Sequence, residues 1–251
     1  MSSGKSDRLD VYLVAGGKYH NIDFARLELL KLIAEQPRLR VQVGPDYADI
    51  DAICGADFVI SYTCDVSPTP AQTARLCDAV SGGMKWFALH GTNSILRFLA
   101  DGRVDSPREN EPFMDMLGSQ FLSHPPIALY EVQLSDPEHP LVRGLSPFSV
   151  DDELYLSVLH GERHLLLHTC FTGSTPAFVD SDWNNDEPRP CMYLRPYGSG
   201  QVLYLTLGHC RGKYDMQPLM EEYPEAEFGA WKTAEYYELL RRGIRWAIGS
   251  L

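Results

Sequence analysis

Three histidines in this chain follow apolar runs that have the composition of buried strands. They are His20, His90 and His209, and each lies beside or a few positions after glycine. In an open parallel sheet the carboxyl ends of the strands lie side by side, and ligands bind in the crevice at that edge. Glycine suits the tight turns that leave such strands, because it tolerates positive φ and close backbone approach. The pattern therefore predicts that the three histidines meet at one edge of a sheet.

Histidines in such a place can do two kinds of chemistry. Neutral imidazole is a common ligand of zinc and related divalent metals, and a catalytic metal site keeps about three protein ligands and one open position. Imidazole also titrates near neutral pH and can transfer protons. We predict His20, His90 and His209 as metal ligands, and His90, His124 and Glu153 as catalytic residues. The structural alternatives are that the histidines only pack at strand ends and that Glu153, with its neighbour Asp152, only caps or braces a strand.

The elements that must position these residues alternate between strand and helix in the first part of the chain. Apolar runs predict strands near residues 9–15, 40–43, 57–62 and 84–89, with helical spacing at 21–34 and from 70 to 80 between them. Thr69 is a predicted N-cap with Pro70 at the first helical position. This order is typical of a doubly wound parallel sheet, in which we expect Trp86 to lie in the core.

The second part of the chain predicts antiparallel additions to that sheet. Strands are expected at 127–134, 153–158 and 164–168, then in the run that ends at His209, and a helix with a broad apolar stripe is expected at 233–248. Between residues 92 and 126 the pattern weakens to short helical pieces around an exposed loop at 103–112. An aromatic stretch from Tyr214 to Tyr237 is a candidate cover for the active site or for a neighbouring subunit.

Composition limits the classes of function. The 251 residues fit one α/β domain over residues 1–251, with a disordered tail at 1–8 that lacks the apolar core of a signal peptide. A net charge of −12 argues against nucleic-acid binding. No run approaches the roughly 18 apolar residues that span a bilayer, so we expect a cytoplasmic protein without a membrane partner. The six cysteines form no CxxC pair and are expected to be free and mostly buried.

Several short motifs resemble one family when they are taken in order. The Gly16-Gly17 pair before His20 and the Leu89-His90-Gly91 strand exit belong to this set. The others are Asp136-x-x-His139-Pro140 with Gly144-Leu145, Asp152-Glu153-Leu154-Tyr155, Gly198-x-Gly200-x-Val202-x-Tyr204-x-x-Leu207-Gly208-His209 and Arg242-Gly243-Ile244-x-Trp246-Ala247. Together they cover nearly the whole chain and resemble the ThuA-like (trehalose utilisation) family.

The resemblance implies a fold and a metabolic role. The fold would be the flavodoxin-like, class I glutamine amidotransferase-like α/β sandwich of three layers, with a mainly parallel central sheet and antiparallel additions. The role would be in carbohydrate metabolism, since family members are linked to trehalose and related disaccharides through 3-keto-glycoside intermediates. A sugar derivative is then the expected small-molecule partner, and no nucleotide cofactor is expected.

The fold relationship also raises the question of amidotransferase activity, and the residues argue against it. Glutamine amidotransferases present a cysteine nucleophile on the turn after the fourth strand, paired with a histidine and a carboxylate. Here His90 occupies that turn. Cys64, near the preceding strand exit, is a candidate substitute, and a buried or loop thiol is the simpler interpretation.

The leading hypothesis is an enzyme, a hydrolase or lyase, that cleaves a glycoside or 3-keto-glycoside with the help of a metal, of histidine or of both. A divalent metal would polarise the keto group, so that the neighbouring C2 proton is removable and the C1 substituent is expelled. Elimination followed by hydration equals net hydrolysis. The alternatives are a sugar-binding or regulatory module without catalysis, and a hydrolase or lyase of a non-sugar molecule. Assembly as a homo-oligomer stays open.

Overall fold

The protein is built around a nine-stranded mixed sheet with helices on both faces. A computed structural model describes residues 8–251, so residues 1–7 of the predicted tail lie outside the described residues. The strands are β1 (Leu9–Gly17), β2 (Leu39–Gly44), β3 (Phe58–Cys64), β4 (Lys85–Leu89), β5 (Arg97–Phe98), β6 (Val104–Asp105), β7 (Ser119–Ser123), β8 (Ala128–Leu134), β9 (Phe148–Asp152), β10 (Leu156–Leu159), β11 (His164–Thr169), β12 (Gly173–Ser174), β13 (Asp182–Trp183), β14 (Arg189–Tyr197) and β15 (Gly200–Leu205). The helices are α1 (Ile22–Ala34), α2 (Ile50–Gly55), α3 (Pro70–Ser81), α4 (Glu111–Leu117) and α5 (Ala234–Ala247), and two short 3-10 helices span His90–Asn93 and Gly229–Lys232.

The order of the strands confirms the predicted fold class. The large sheet runs β2-β1-β3-β4-β15-β14-β11-β8-β9. The first five strands in this order pair in parallel, and the remaining four add antiparallel strands on one side. The chain passes from β1 to β2 on one side and then to β3 on the other. The carboxyl ends of β1 and β3 therefore flank a topological switch point, the place where ligands bind in open α/β sheets.

Two separate apolar cores hold the three layers together. Helices α1 and α5 pack on one face of the sheet, and α2, α3 and α4 pack on the other. Trp86 has no exposed surface and lies in the second core, as its place in an apolar strand predicts. Among residues 8–251, none of the helices combines the length and the apolar character needed to span a bilayer.

The start of α3 follows its sequence signal. Thr69 accepts a hydrogen bond from the Gln72 backbone N–H at 3.3 Å, and the Gln72 side chain accepts one from the Thr69 N–H at 2.8 Å. We expect Thr69→Ala to lower the free energy of unfolding by about 1 kcal/mol, because the first-turn N–H loses its partner. Urea denaturation measures this, with Thr69→Ser as the control that keeps the capping oxygen. Equal losses in both variants would contradict the capping role.

Two predictions between the strands were wrong. The strand expected at 153–158 begins three residues later, as β10 over Leu156–Leu159, and β9 before it was not predicted. Residues 153–155 leave the sheet where the Asp152 carboxylate accepts the N–H groups of Glu153, Gly208 and His209. The region before residue 126, where only short helical pieces were expected, also contains a fully buried strand, β7, which pairs with β10.

The cysteines follow expectation except at one position. All six are free, and Cys64, Cys191 and Cys210 are buried. Cys54 and Cys77 are partly buried, whereas Cys170 is exposed in the loop after β11. Burial was therefore predicted wrongly for Cys170, because the apolar run that precedes it ends one residue earlier.

Candidate metal centre

His20, His90 and His209 meet at the carboxyl edge of the parallel strands. They follow β1, β4 and β15, and the order β1-β3-β4-β15 places these strand ends close together. The imidazole centroids lie 4.7 Å apart for His20 and His90, 5.1 Å for His20 and His209, and 5.8 Å for His90 and His209. All three side chains are buried. Three residues separated by up to 189 positions thus form one cluster.

The backbone around the cluster is tightly constrained. His90 begins a 3-10 helix directly after β4 with φ of 42°, in the left-handed region that non-glycine residues rarely adopt. A side chain at Gly91 would approach the Thr63 carbonyl oxygen at 2.5 Å, and Gly208 has φ of 118°. These turns need glycine as the sequence predicts, and the strained conformation of His90 points its ring into the cluster.

Glu153 completes the cluster from the loop between β9 and β10. Its Oε2 lies 3.3 Å from His90 Nε2, 3.7 Å from His20 Nε2 and 3.4 Å from His209 Nδ1. One ligand atom from each of the four residues can be chosen so that all lie within 4.8 Å of one another. This buried group of three imidazoles and one carboxylate could hold a metal ion.

The hydrogen bonds of His20 and His90 fix where their lone pairs point. Nδ1 of His90 donates to the Thr206 carbonyl at 2.8 Å, and Nδ1 of His20 donates to the Lys18 carbonyl at 3.3 Å. In a neutral imidazole the other nitrogen then carries the lone pair. The two Nε2 atoms nevertheless lie only 2.8 Å apart. Two lone pairs at this distance repel each other unless a proton or a metal cation lies between them.

His209 presents a third nitrogen to the same point. Its Nε2 lies 2.8 Å from Glu227 Oε2, where it donates to the carboxylate. Its Nδ1 is buried and has no hydrogen-bond partner within residues 8–251. A buried polar atom without a partner is unfavourable and calls for an explanation, such as an ion. A carboxylate that accepts a hydrogen bond from the other ring nitrogen commonly orients a metal-binding imidazole. Glu227 is placed in this way relative to His209.

The electrostatics of the cluster favour one positive charge. Burial lowers the pKa of His20 and of His90, which favours their neutral forms. Burial also opposes the charge on Glu153, but His124 and His209 lower the pKa of Glu153 well below its ordinary value. Against burial, the carboxylates of Glu153 and Glu227 raise the pKa of His209 to about 10. The carboxylates therefore attract a cation, either a proton on His209 or a metal in its place.

Asp152 supports the cluster without entering it. Its carboxylate accepts the backbone N–H groups of Gly208 at 2.8 Å, of His209 at 2.9 Å and of Ala230 at 3.3 Å, besides that of Glu153. Asp152 is 1% exposed. It ties β9 to the turn after β15, so the bracing role that the sequence left open applies to Asp152, while Glu153 faces the histidines.

A cavity of about 580 Å³ opens above the cluster. His20, Glu153 and His209 line its base, and His124 lies beside them with Nε2 3.1 Å from Glu153 Oε1. His90 is fully buried and does not line the cavity. Residues of the predicted aromatic cover contribute one wall, among them Tyr223.

Sequence reasoning assigned no role to Tyr155 and Glu227, which contact the cluster, or to Arg211, which contacts Glu227. The Tyr155 hydroxyl lies 3.3 Å from His90 Nε2, and Arg211 pairs with Glu227 at 2.6 Å. Tyr155 lies two residues after Glu153 in the sequence, and this spacing could have predicted that it lies near the cluster. Glu227 approaches only because an isolated antiparallel bridge joins it to Arg211, and no local pattern indicates that pairing.

Comparisons with known proteins agree with the architecture. The model of the trehalose utilisation family, ThuA, matches residues 11–223. The chain belongs to the ThuA family. This membership links the protein to carbohydrate metabolism related to trehalose utilisation. Comparison with curated proteins gave no match.

Solved structures resemble this ThuA-family protein along almost its whole length. A ThuA-like protein from Bacteroides uniformis has a TM-score of 0.66 at 16% identity, covering 99% of this chain and 94% of that one. A ThuA-like protein from Parabacteroides merdae has a TM-score of 0.63 at 17% identity, covering 97% and 91%. A β-galactosidase from Rahnella sp. R3 has a TM-score of 0.57 at 14% identity, and the match covers 97% of this chain but 32% of the enzyme. At these identities the similarity concerns the fold.

Cys64 lacks the properties of an amidotransferase nucleophile. It lines the cavity, but burial raises the pKa of its thiol well above the ordinary value, and Glu153 adds to that effect. A cysteine nucleophile needs a stabilised thiolate. His90 occupies the turn where an amidotransferase would carry its cysteine.

Proposed function

We propose that this ThuA-family protein is an enzyme that binds a divalent metal and cleaves a glycoside or 3-keto-glycoside. The metal ligands would be His20 Nε2, His90 Nε2, His209 Nδ1 and Glu153 Oε2. The observation that carries the proposal is the convergence of three imidazole nitrogens and one carboxylate oxygen on one buried point, where His20 Nε2 and His90 Nε2 lie only 2.8 Å apart. Imidazole with one carboxylate is a donor set that suits zinc and its transition-metal neighbours.

When bound, such a metal would act as a Lewis acid on a carbonyl oxygen of the substrate. The chain's own residues supply the rest. His90 donates from Nδ1 to the Thr206 carbonyl and does not reach the cavity, so its part is to act as a ligand. Glu153 has one oxygen toward the imidazoles and the other toward His124.

His124 is the residue that we assign to proton movement. Its side chain is 24% exposed, it lines the cavity, and its Nδ1 donates to the Pro125 carbonyl at 2.7 Å, which fixes the ring. His124 Nε2 donates to Glu153 Oε1 at 3.1 Å, so the two groups would act together. Glu153 Oε1 would take the C2 proton of a 3-keto-glycoside while the C1–O bond breaks and a C1–C2 double bond forms, and the Nε2–H of His124 would supply the proton for the leaving group. The departing oxygen takes up this proton, and water then adds across the double bond, which gives net hydrolysis. Tyr155 lines the same space, and its hydroxyl would be free to donate to a substrate oxygen if a metal took its place at His90 Nε2.

Elemental analysis of the purified protein tests the metal, and product analysis tests the reaction. We expect stoichiometric bound metal, loss of turnover of 3-keto-glucosides after chelation, and recovery when zinc, manganese or iron is restored. Saturating metal should also raise the unfolding free energy by about 2.7 kcal/mol at a concentration one hundred times the Kd. Full activity in a metal-free preparation would overturn the metal's role.

The same measurements separate the alternative functions. Thermal stabilisation by sugars without any product would favour a binding or regulatory module. Turnover of aromatic esters or ethers but of no glycoside would favour a non-sugar hydrolase or lyase.

A further inference from the structure

The cavity above the metal cluster has two chemically different sides. Near the cluster and along one wall it carries polar groups, which include His124, Arg211, Gln217 and Glu222. A second part of the lining, the apolar wall, is formed by apolar side chains. These are Leu96, Phe98, Leu99, Val104, Phe121 and Phe178. The apolar wall begins at the cluster itself, because the rings of Phe178 and His124 have centroids 4.9 Å apart.

The rim of this wall carries an aromatic group with little packing of its own. Phe98 on β5 is 42% exposed, and its only ring partner among residues 8–251 is Tyr19, at a centroid distance of 5.4 Å. Neither ring belongs to the apolar cores of the sheet. Large apolar groups exposed next to a concave site commonly mark the place where a ligand packs.

We propose, building on the proposed glycoside-cleaving function, that the substrate carries an aromatic or similarly apolar aglycone. The sugar ring lies at the polar base, next to His124 and the cluster. The aglycone packs against the apolar wall between Phe178 and Phe98. Rings that lie edge-on or offset to the aglycone would stabilise it beyond the burial of its surface.

A second sugar ring fits this wall poorly. Its hydroxyl groups would lose water and find no acceptor or donor among the six apolar side chains, which is unfavourable. The volume of about 580 Å³ lies within the range of pockets that accept a sugar ring together with a further group of similar size.

Binding of inert glycosides tests this inference apart from turnover. The probes are phenyl 1-thioglucoside and methyl 1-thioglucoside in both anomeric forms, with trehalose as the disaccharide, measured by titration calorimetry against the metal-loaded protein. Thioglycosides resist cleavage, so affinity is measured without reaction. We expect one phenyl anomer to bind at least tenfold more tightly than its methyl counterpart and than trehalose.

Two wall variants and one matched control locate the effect. Phe98 and Leu99 lie outside the apolar cores, so replacing them should not disturb the packing of the sheet. Phe98→Ala and Leu99→Ala should each remove most of the preference for the phenyl compound and leave the affinity for methyl thioglucoside unchanged. Leu129→Ala replaces another exposed apolar residue, 71% exposed on β8, and should have no effect. Equal affinity for phenyl and methyl compounds, or tighter binding of trehalose, would overturn the inference and leave the glycoside-cleaving function standing. If turnover of 3-keto-glucosides is absent while the phenyl preference and its loss in the variants persist, the apolar site stands and the glycoside-cleaving function falls.

Discussion

Replacing His90 by alanine is expected to abolish stoichiometric metal binding and to reduce turnover at least a hundredfold. The variant removes one of three imidazole donors and leaves His20 Nε2 without the atom that faces it at 2.8 Å. Changing even an outer-shell partner commonly costs about 10–100-fold in metal affinity or activity, and loss of a direct ligand costs more. Metal content after extensive dialysis and turnover of 3-keto-glucosides are the measurements.

His164→Ala is the matched control for this variant. His164 also pairs with a carboxylate, Asp136, at 2.9 Å, but its side chain is 50% exposed and lies outside the cluster. It should keep both metal and activity. His90→Gln provides a second test in case alanine disturbs the fold, because glutamine retains a polar group but lacks the imidazole nitrogen. Retention of stoichiometric metal by a folded His90 variant would remove His90 from the ligand set.

Asp152→Ala is expected to destabilise the protein by about 3–5 kcal/mol. The change leaves four buried backbone N–H groups without their shared acceptor, those of Gly208, His209, Ala230 and Glu153. An unsatisfied buried donor costs about 1–3 kcal/mol, and hydrogen bonds to a charged group are the stronger ones. Equilibrium unfolding in urea gives the difference.

The neighbouring residue supplies the comparison. Asp151→Ala removes an exposed carboxylate from the same strand and should change stability by less than about 0.5 kcal/mol. Asp152→Asn should fall between the wild type and alanine, since its amide oxygen accepts some of the same N–H groups while its NH2 faces others. If Asp152→Ala unfolds at the same urea concentration as Asp151→Ala, the four hydrogen bonds do not brace the site as argued.

Local sequence signals were sufficient for the parallel half of the fold. Thr69 and Pro70 define the start of α3 through side-chain and backbone chemistry that lies within four residues. The apolar run ending at Leu89 defines β4 in the same way. The division between β9 and β10 could not be read locally, because it depends on N–H groups of Gly208, His209 and Ala230 that approach Asp152 from distant parts of the chain.

The sequence by itself determined that His20, His90 and His209 lie at one edge of a sheet. Strand ends of a parallel sheet are neighbours whatever their separation in the chain, so apolar runs that stop before a histidine were enough to place all three. Only the tertiary structure decided which nitrogens face each other, that Glu153 joins them and that Glu227 holds His209. Those facts depend on hydrogen bonds to Thr206 and Lys18 and on a bridge between Arg211 and Glu227. Contacts of this kind are set by packing among distant segments, and they leave no periodic pattern in the sequence.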